Sequence, residues 1–171
     1  MLKKYLGVIL IVAAVIILDQ TTKFWIESAL PRHQQIEILP RCLHIVHVRN
    51  PGVAFGLLQN IPETYRAALL TTTTALALVL LLVLLAQTDP ARRLERWSLA
   101  LIMGGAVGNL IDRVRLGEVI DFIDVHWDTI YHWPAFNVAD SCISTGITLM
   151  VLLELKKIFS SRARKKNAPV S

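Results

Sequence analysis

Four aspartates, Asp121, Asp124, Asp128 and Asp140, fall within one stretch, VIDFIDVHWDTIYHWPAFNVAD, that is flanked by strongly apolar segments. A carboxylate beside lipid is costly unless it is paired, solvated or put to use. If Val119–Val125 is extended, Asp121 shares a face with Val119, Ile123 and Val125. Asp124 then shares the other face with Ile120, Phe122 and His126. Asp121 is thereby placed among aliphatic side chains, where desolvation raises a carboxyl pKa. Asp124 and Asp128 read instead as solvated charges of an outer surface. Asp140 stands at the head of an apolar segment, with Asn137, Asp140 and Ser144 on one helical stripe. An aspartate there is often a helix cap. Pro134 suits a first helical turn, however, which would put Asp140 inside the helix rather than at its cap.

Two carboxyls at one interface are suited to general acid and base work. When they share a site, one ionises and the other keeps its proton near neutral pH. The ionised group takes a proton from water; the protonated one polarises a carbonyl and later serves the leaving nitrogen. That is aspartic-type peptide hydrolysis, which needs neither a metal nor a nucleophilic serine. Asp121 with Asp140 is the candidate pair.

Other polar residues lie at the same kind of boundary. Asn109 and Arg113 are four apart in GGAVGNLIDR, so they share a helix face, with Gly105 one turn below Asn109. Gly104, Gly105 and Gly108 let another helix approach closely, or clear a groove that leads to Asn109 and Arg113. Arg113 either snorkels to the interface or holds a carboxylate or a substrate carbonyl. Asp19 and Lys23, also four apart, form an ion pair near lipid or shape a site.

The elements that must carry these residues follow from the hydropathy. The chain has 171 residues, of which 54% are hydrophobic and only 18% charged. Its mean hydropathy is +0.51. Ala67–Ala86, AALLTTTTALALVLLLVLLA, contains no charge and as a helix would rise roughly 30 Å, the thickness of a bilayer's hydrocarbon core. Three weaker segments bring the expected count to four spans, near 5–25, 67–86, 97–115 and 136–158, in a single membrane domain covering 1–171. Lys3 and Lys4 precede an apolar run, but no small-residue cleavage site follows, so this run reads as a retained first span.

Lys3, Lys4, Arg92, Arg93, Arg96 and the basic residues after span 4 fall on one side of a four-span protein. That side is expected to be the cytoplasm, with both termini there. Residues 117–137 hold acids and no Lys or Arg, and so face outward. The net charge of +5 reflects this bias, and anionic lipid is a better partner for the basic tail, 160–171, than nucleic acid. The outer segment 28–66 is too long for a simple hairpin connection. Gln35–Leu39 and Leu43–Val48 read as strands, Asn50-Pro51-Gly52 as a turn, and the stretch after Gly56 as a short interfacial helix. Glu118–Val125 adds a possible strand. The expected fold is thus an all-α membrane core of four transmembrane helices with a small outer-surface β-sheet and a short interfacial helix. Cys42 and Cys142 carry no metal spacing.

Taken together, GGAVGNLIDRVRLGEVIDFIDV (104–125) followed by FNVADSCI (136–143) resembles the lipoprotein signal peptidases, the signal peptidase II family. LDQTTK (18–23) and RNPGVAFG (49–56) match that family's upstream motifs in the same order, Val53 standing where alanine is usual. The resemblance covers nearly all of the chain except the basic tail. It implies a bacterial inner-membrane aspartic peptidase, its site near the outer face, that cleaves prolipoproteins just before a diacylglyceryl-modified cysteine. It implies Asp121 and Asp140 as the catalytic dyad. Asp19, Lys23, Asn50, Gly105, Asn109, Arg113 and Asn137 are implied as substrate-binding or site-shaping residues. It implies no cofactor and no metal, membrane lipid as surroundings, prolipoprotein as partner, and a monomer as sufficient.

Three rivals are separable. A proton-coupled transporter would place acids deep within spans and show an inverted repeat; here the acids cluster at one end and no repeat is visible. A non-catalytic assembly factor would tolerate Asp121→Asn and Asp140→Asn. A zinc hydrolase built on His44, His47 and an aspartate is disfavoured because the two histidines would point to opposite strand faces.

Overall fold

A computed structural model describes residues 2–52, 60–127 and 131–166. Among these residues the helices are four: α1 (Leu2–Ala29), α2 (Glu63–Gln87), α3 (Arg93–Leu116) and α4 (Val138–Lys166). Strands β1 (Gln35–Leu39) and β2 (Leu43–Asn50) lie between α1 and α2. Strands β3 (Val119–Trp127) and β4 (Tyr131–His132) lie between α3 and α4. The strands pair antiparallel in the order β1-β2-β3-β4. All four therefore gather where α1 and α3 end and α4 begins.

Among the described residues, α1, α2 and α4 are long and apolar enough to cross a membrane. Their apolar side chains face outward: only 6% of the most hydrophobic window of α2 is buried. That is the pattern of a helix solvated by lipid. Its threonines fit there because Thr73 and Thr74 return their hydroxyl protons to the Leu69 and Leu70 carbonyls of the preceding turn. α3 is not among these helices, and the reason is chemical. It carries Asn109, Asp112 and Arg113 and packs against all three other helices, so protein rather than lipid surrounds its polar residues.

The glycines of α3 allow that packing. A Cβ added to Gly104 would lie 2.8 Å from Val15 Cβ, and one on Gly105 would lie 2.4 Å from the Ala139 carbonyl oxygen. At Gly108 it would lie 2.5 Å from Asp19 Oδ2. These positions are filled by contacts with α1 and α4 and do not form an open groove.

Gly117 ends α3 in the left-handed region, φ 74°, and turns the chain at once into β3. Its N–H donates to the Arg113 carbonyl in closing the helix. Ile120 and Phe122 of β3 then pack on Ile26 of α1, rooting the sheet on the bundle.

The two expected outer strands and the added strand over 118–125 are present. The short β4 was not anticipated. α4 begins at Val138, not at Pro134 or 136, and continues to Lys166, past the expected end at 158 and into the basic tail. The expected helix after Gly56, and Asp128, lie outside the described residues. Cys42 and Cys142 are both free thiols.

Candidate active site

The α3–β3 connection and the start of α4 bring the two candidate carboxyls to one polar centre. Asp121 is 2% exposed. Its Oδ2 accepts from Asn50 Nδ2 at 2.8 Å, and its Oδ1 from Asn137 Nδ2 at 2.8 Å. Asp140 is half-buried. Its Oδ1 accepts from Asn109 Nδ2 at 2.7 Å, and its Oδ2 from the Asn137 backbone N–H at 3.2 Å. Asn137 thus contacts both carboxyls, one through its side chain and one through its backbone.

The local structure explains why Asn137 stands there. It precedes the first residue of α4, and its Oδ1 accepts from the Asp140 N–H at 2.9 Å. The reciprocal bond from the Asn137 N–H to Asp140 completes a capping-box arrangement. Asp140 thus lies inside the helix, as expected, with Asn137 as the cap, although the helix starts later than Pro134 suggested and the Asp140 carboxylate joins the capping exchange. The same carboxylate still offers Oδ1 to Asn109.

Asn50 is positioned by its own turn. Its Oδ1 accepts from the Gly52 N–H at 2.8 Å, which leaves its amide to point at Asp121. Gly52 has φ 81°, a conformation suited to glycine. Antiparallel pairing of β2 with β3 brings this end of β2 to the head of β3.

Behind the carboxyls lies a buried charge network. Lys23 is 1% exposed, and its ammonium reaches Asp19 and Asp112, each at 2.9 Å. It also donates to Asn109 Oδ1 at 3.0 Å, which fixes the amide orientation that sends Asn109 Nδ2 to Asp140. Asp19 Oδ1 accepts from the Ala139 N–H at 2.9 Å, and Asp112 Oδ2 from the Ile120 N–H at 3.1 Å. The network therefore ties α1 and α3 to the residues adjoining each candidate carboxyl. Arg113 is half-buried, donates to Thr74 Oγ1 at 3.4 Å, and acts electrostatically on Asp140, Asp121 and Asp112. It faces the site and does not snorkel away.

Asp121, on the sheet, has its pKa raised to about 7. Burial is the main cause and the neighbouring charge of Asp140 the second. The Asn50 and Asn137 amides and the charge of Lys23 oppose the rise. A buried carboxyl that can keep a proton near neutrality, beside a second and more exposed carboxyl, suits acid–base hydrolysis of an amide.

The residues singled out in the sequence converge here: Asp19, Lys23, Asn50, Asn109, Arg113, Asn137, Asp121 and Asp140, with Gly105 at the α3–α4 contact. Sequence reasoning missed Asp112 and Gln20. Gln20 Nε2 lies within 3.2 Å of Asp19 Oδ2, the Gly108 carbonyl and Asp112 Oδ1. Asp112 had a signal, because it follows Asn109 by three residues on the polar face of α3. Gln20 had none beyond its place next to Asp19. Ser144 is exposed and forms no part of the centre. Asp124, as expected, is not part of it, but neither is it the solvated surface charge expected: its side chain is 14% exposed and faces His44 and His126, because the β2–β3 pairing sets His44 opposite it.

The chain as a whole is similar to known proteins. The family model described as signal peptidase (SPase) II matches residues 11–156. The lipoprotein signal peptidase of Syntrophotalea carbinolica is 44% identical over 146 residues, 85% of this chain and 89% of that protein. The lipoprotein signal peptidase of Syntrophus aciditrophicus is 41% identical over 157 residues, 91% of this chain and 97% of that protein. A solved structure described as a bacterial membrane enzyme superimposes with a TM-score of 0.80 at 32% identity, covering 96% of this chain and 94% of the other.

Proposed function

The chain belongs to the signal peptidase II family, and from that membership we propose that Asp121 and Asp140 are its catalytic dyad. The protein is a lipoprotein signal peptidase of aspartic type, which removes signal peptides from prolipoproteins. The observation that carries the dyad is the contact of one residue, Asn137, with both carboxyls in a centre that holds them at the end of a lipid-facing bundle.

The shared proton resides on Asp121, the more deeply buried of the two. Asp140, half-buried where Asp121 is buried, is the partner placed to receive the proton of water. Asp140 takes a proton from water as the water attacks the scissile carbonyl. Asp121 donates to the developing oxyanion; as the C–N bond breaks, the proton now held by Asp140, rather than one from Asp121, passes to the leaving nitrogen, and a hydroxyl proton of the intermediate returns to Asp121, which restores the pair. Asn50, Asn109 and Asn137 hold the two carboxyls, and Arg113 supplies positive charge beside the carbonyl. The two aspartates are coupled, so their titrations belong to the pair.

The cleaved bond is the one before the diacylglyceryl-modified cysteine, and the substrate enters sideways with its acyl chains left in the bilayer. The membrane is the bacterial inner membrane. All four helices cross it, α3 included, because its polar residues are shielded by the other three. The basic residues near Lys3, Arg92 and Lys156 put both termini in the cytoplasm. The sheet and dyad then lie at the outer face, where water has access. A monomer suffices, since every residue assigned to the site comes from one chain.

The test is product identification. Purified protein is given a diacylglyceryl-modified prolipoprotein, and both products are weighed by mass spectrometry. A mature product that begins at the lipid-bearing cysteine supports the reading; an intact substrate or a cut elsewhere contradicts it.

A further inference from the structure

The opposite face of the sheet carries a second constellation that peptide hydrolysis does not use. Glu37, His44 and Asp124 form one cross-strand row, since Glu37 pairs with His44 and His44 with Asp124 in the β1-β2-β3 register. His126 lies two residues further along β3, on the side of the strand shared with Asp124. The His44 and His126 rings lie 4.3 Å apart between centroids. Ligand atoms of His44, Asp124 and His126 all fall within 4.8 Å of one another.

The separations favour one explanation. Asp124 Oδ2 is 3.8 Å from His44 Nδ1 and 3.6 Å from His126 Nδ1. A charge-assisted hydrogen bond would bring either pair to about 2.7–2.9 Å. Ligands of a tetrahedral zinc ion, with bonds near 2.0–2.2 Å, stand roughly 3.3–3.5 Å apart. These two separations are thus too long for direct bonding and a few tenths of an ångström from that of a shared ion, while the ligand atoms of all three residues stay within 4.8 Å of one another. His44 Nδ1 is buried with no hydrogen-bond partner. Its other ring nitrogen, Nε2, faces Glu37 Oε1 at 4.0 Å. A carboxylate behind a ligating imidazole is the usual second-shell arrangement, because it fixes the ring and raises its basicity.

We propose that His44, Asp124 and His126 form a site for a divalent transition-metal ion of the zinc type, with Glu37 as the outer partner of His44. Two imidazoles and one carboxylate suit Zn(II) or Co(II) better than the oxygen-seeking Mg(II) or Ca(II). The ion would cross-link β2 to β3 on the side of the sheet away from Asp121. It would stiffen the strand that carries Asp121 without entering the peptidase chemistry. His47 takes no part, because its Nδ1 engages the Leu30 carbonyl oxygen at 2.7 Å.

The full-length protein, stripped with a chelator and freed of any histidine tag, is titrated with Zn(II) alone. The expected result is one bound equivalent that raises the thermal unfolding midpoint. Co(II) in its place should give ligand-field bands of tetrahedral intensity. His44→Gln and His126→Ala should each lose the equivalent and the thermal shift, and Glu37→Gln should weaken binding roughly tenfold. His33→Asn, which removes an exposed histidine, should retain both. If His126→Ala does not fold, His44→Gln decides, since that side chain is only half-buried. Wild-type protein without a bound equivalent, or His44→Gln with an undiminished one, overturns the proposal. His44→Gln should still cleave prolipoprotein, so failure of the metal site and failure of the peptidase reading are distinguishable.

Discussion

The Asn137 amide is hydrogen-bonded to the Asp121 carboxyl at 2.8 Å, and the same amide nitrogen lies 3.2 Å from Asn109 Oδ1. Asn109 in turn donates to Asp140. The two carboxyls are therefore linked by a chain of amides with little freedom to turn, since Asn137 is fully buried. Asn137→Ala should leave those buried partners unsatisfied and cost about 1–3 kcal/mol of stability. Catalysis should fall on the order of 10²-fold through misplacement of the carboxyls. Thermal unfolding and cleavage kinetics on the same preparation separate the two losses.

The titration of Asp121 should be visible in stability. In the unfolded chain it ionises near 3.8, and in the folded one near 7. Between these values the folded state holds a proton that the unfolded state has released. Stability therefore falls as pH rises through this window, and its dependence on this group flattens above about 7. Thermal unfolding from acidic to mildly alkaline pH should show that decline in the wild type and a reduced one in Asp121→Asn. Activity should also drop as the pair loses its shared proton on the alkaline side.

Lys23 shares its one positive charge between two buried acids, Asp19 and Asp112. Lys23→Met should destabilise by about 3–5 kcal/mol, because it leaves buried charges without a counter-ion. Adding Asp112→Asn to that variant should recover part of the loss. Unfolding midpoints of the single and double variants measure the coupling.

Gly105 lets α4 sit against α3. Gly105→Ala sets a methyl carbon 2.4 Å from the Ala139 carbonyl oxygen, a backbone atom that cannot rotate away. The helices must separate, at about 1–3 kcal/mol. Asp140 is next to Ala139 and should move with it, so kcat should drop more than KM rises. Steady-state kinetics would show the split.

How far the sequence carried this account can be read from particular residues. Asp121 was legible because its strand alternates, and because an acid on an aliphatic face is costly. Asn109 and Arg113 were legible from helical spacing. The bond between Asn137 and Asp121 was not, since it depends on where α4 starts. Pro134 suggested too early a start, and the capping exchange between Asn137 and Asp140 sets the boundary instead. The glycines left two readings open, and only the position of Ala139 decides for close packing. Asp112 escaped notice because its partner Lys23 lies on another helix. The row of Glu37, His44 and Asp124 depends on strand register, which a bulge between Ile45 and Val48 makes hard to count from sequence.

The central claim, that Asp121 and Asp140 act together, is tested most directly by cleavage of diacylglyceryl-modified prolipoprotein by Asp121→Asn, Asp140→Asn and Asp124→Asn, each checked for native folding. The account predicts no turnover by the first two and most of the wild-type rate from the third. Turnover by folded Asp121→Asn or Asp140→Asn, or an equal collapse in Asp124→Asn, would contradict it.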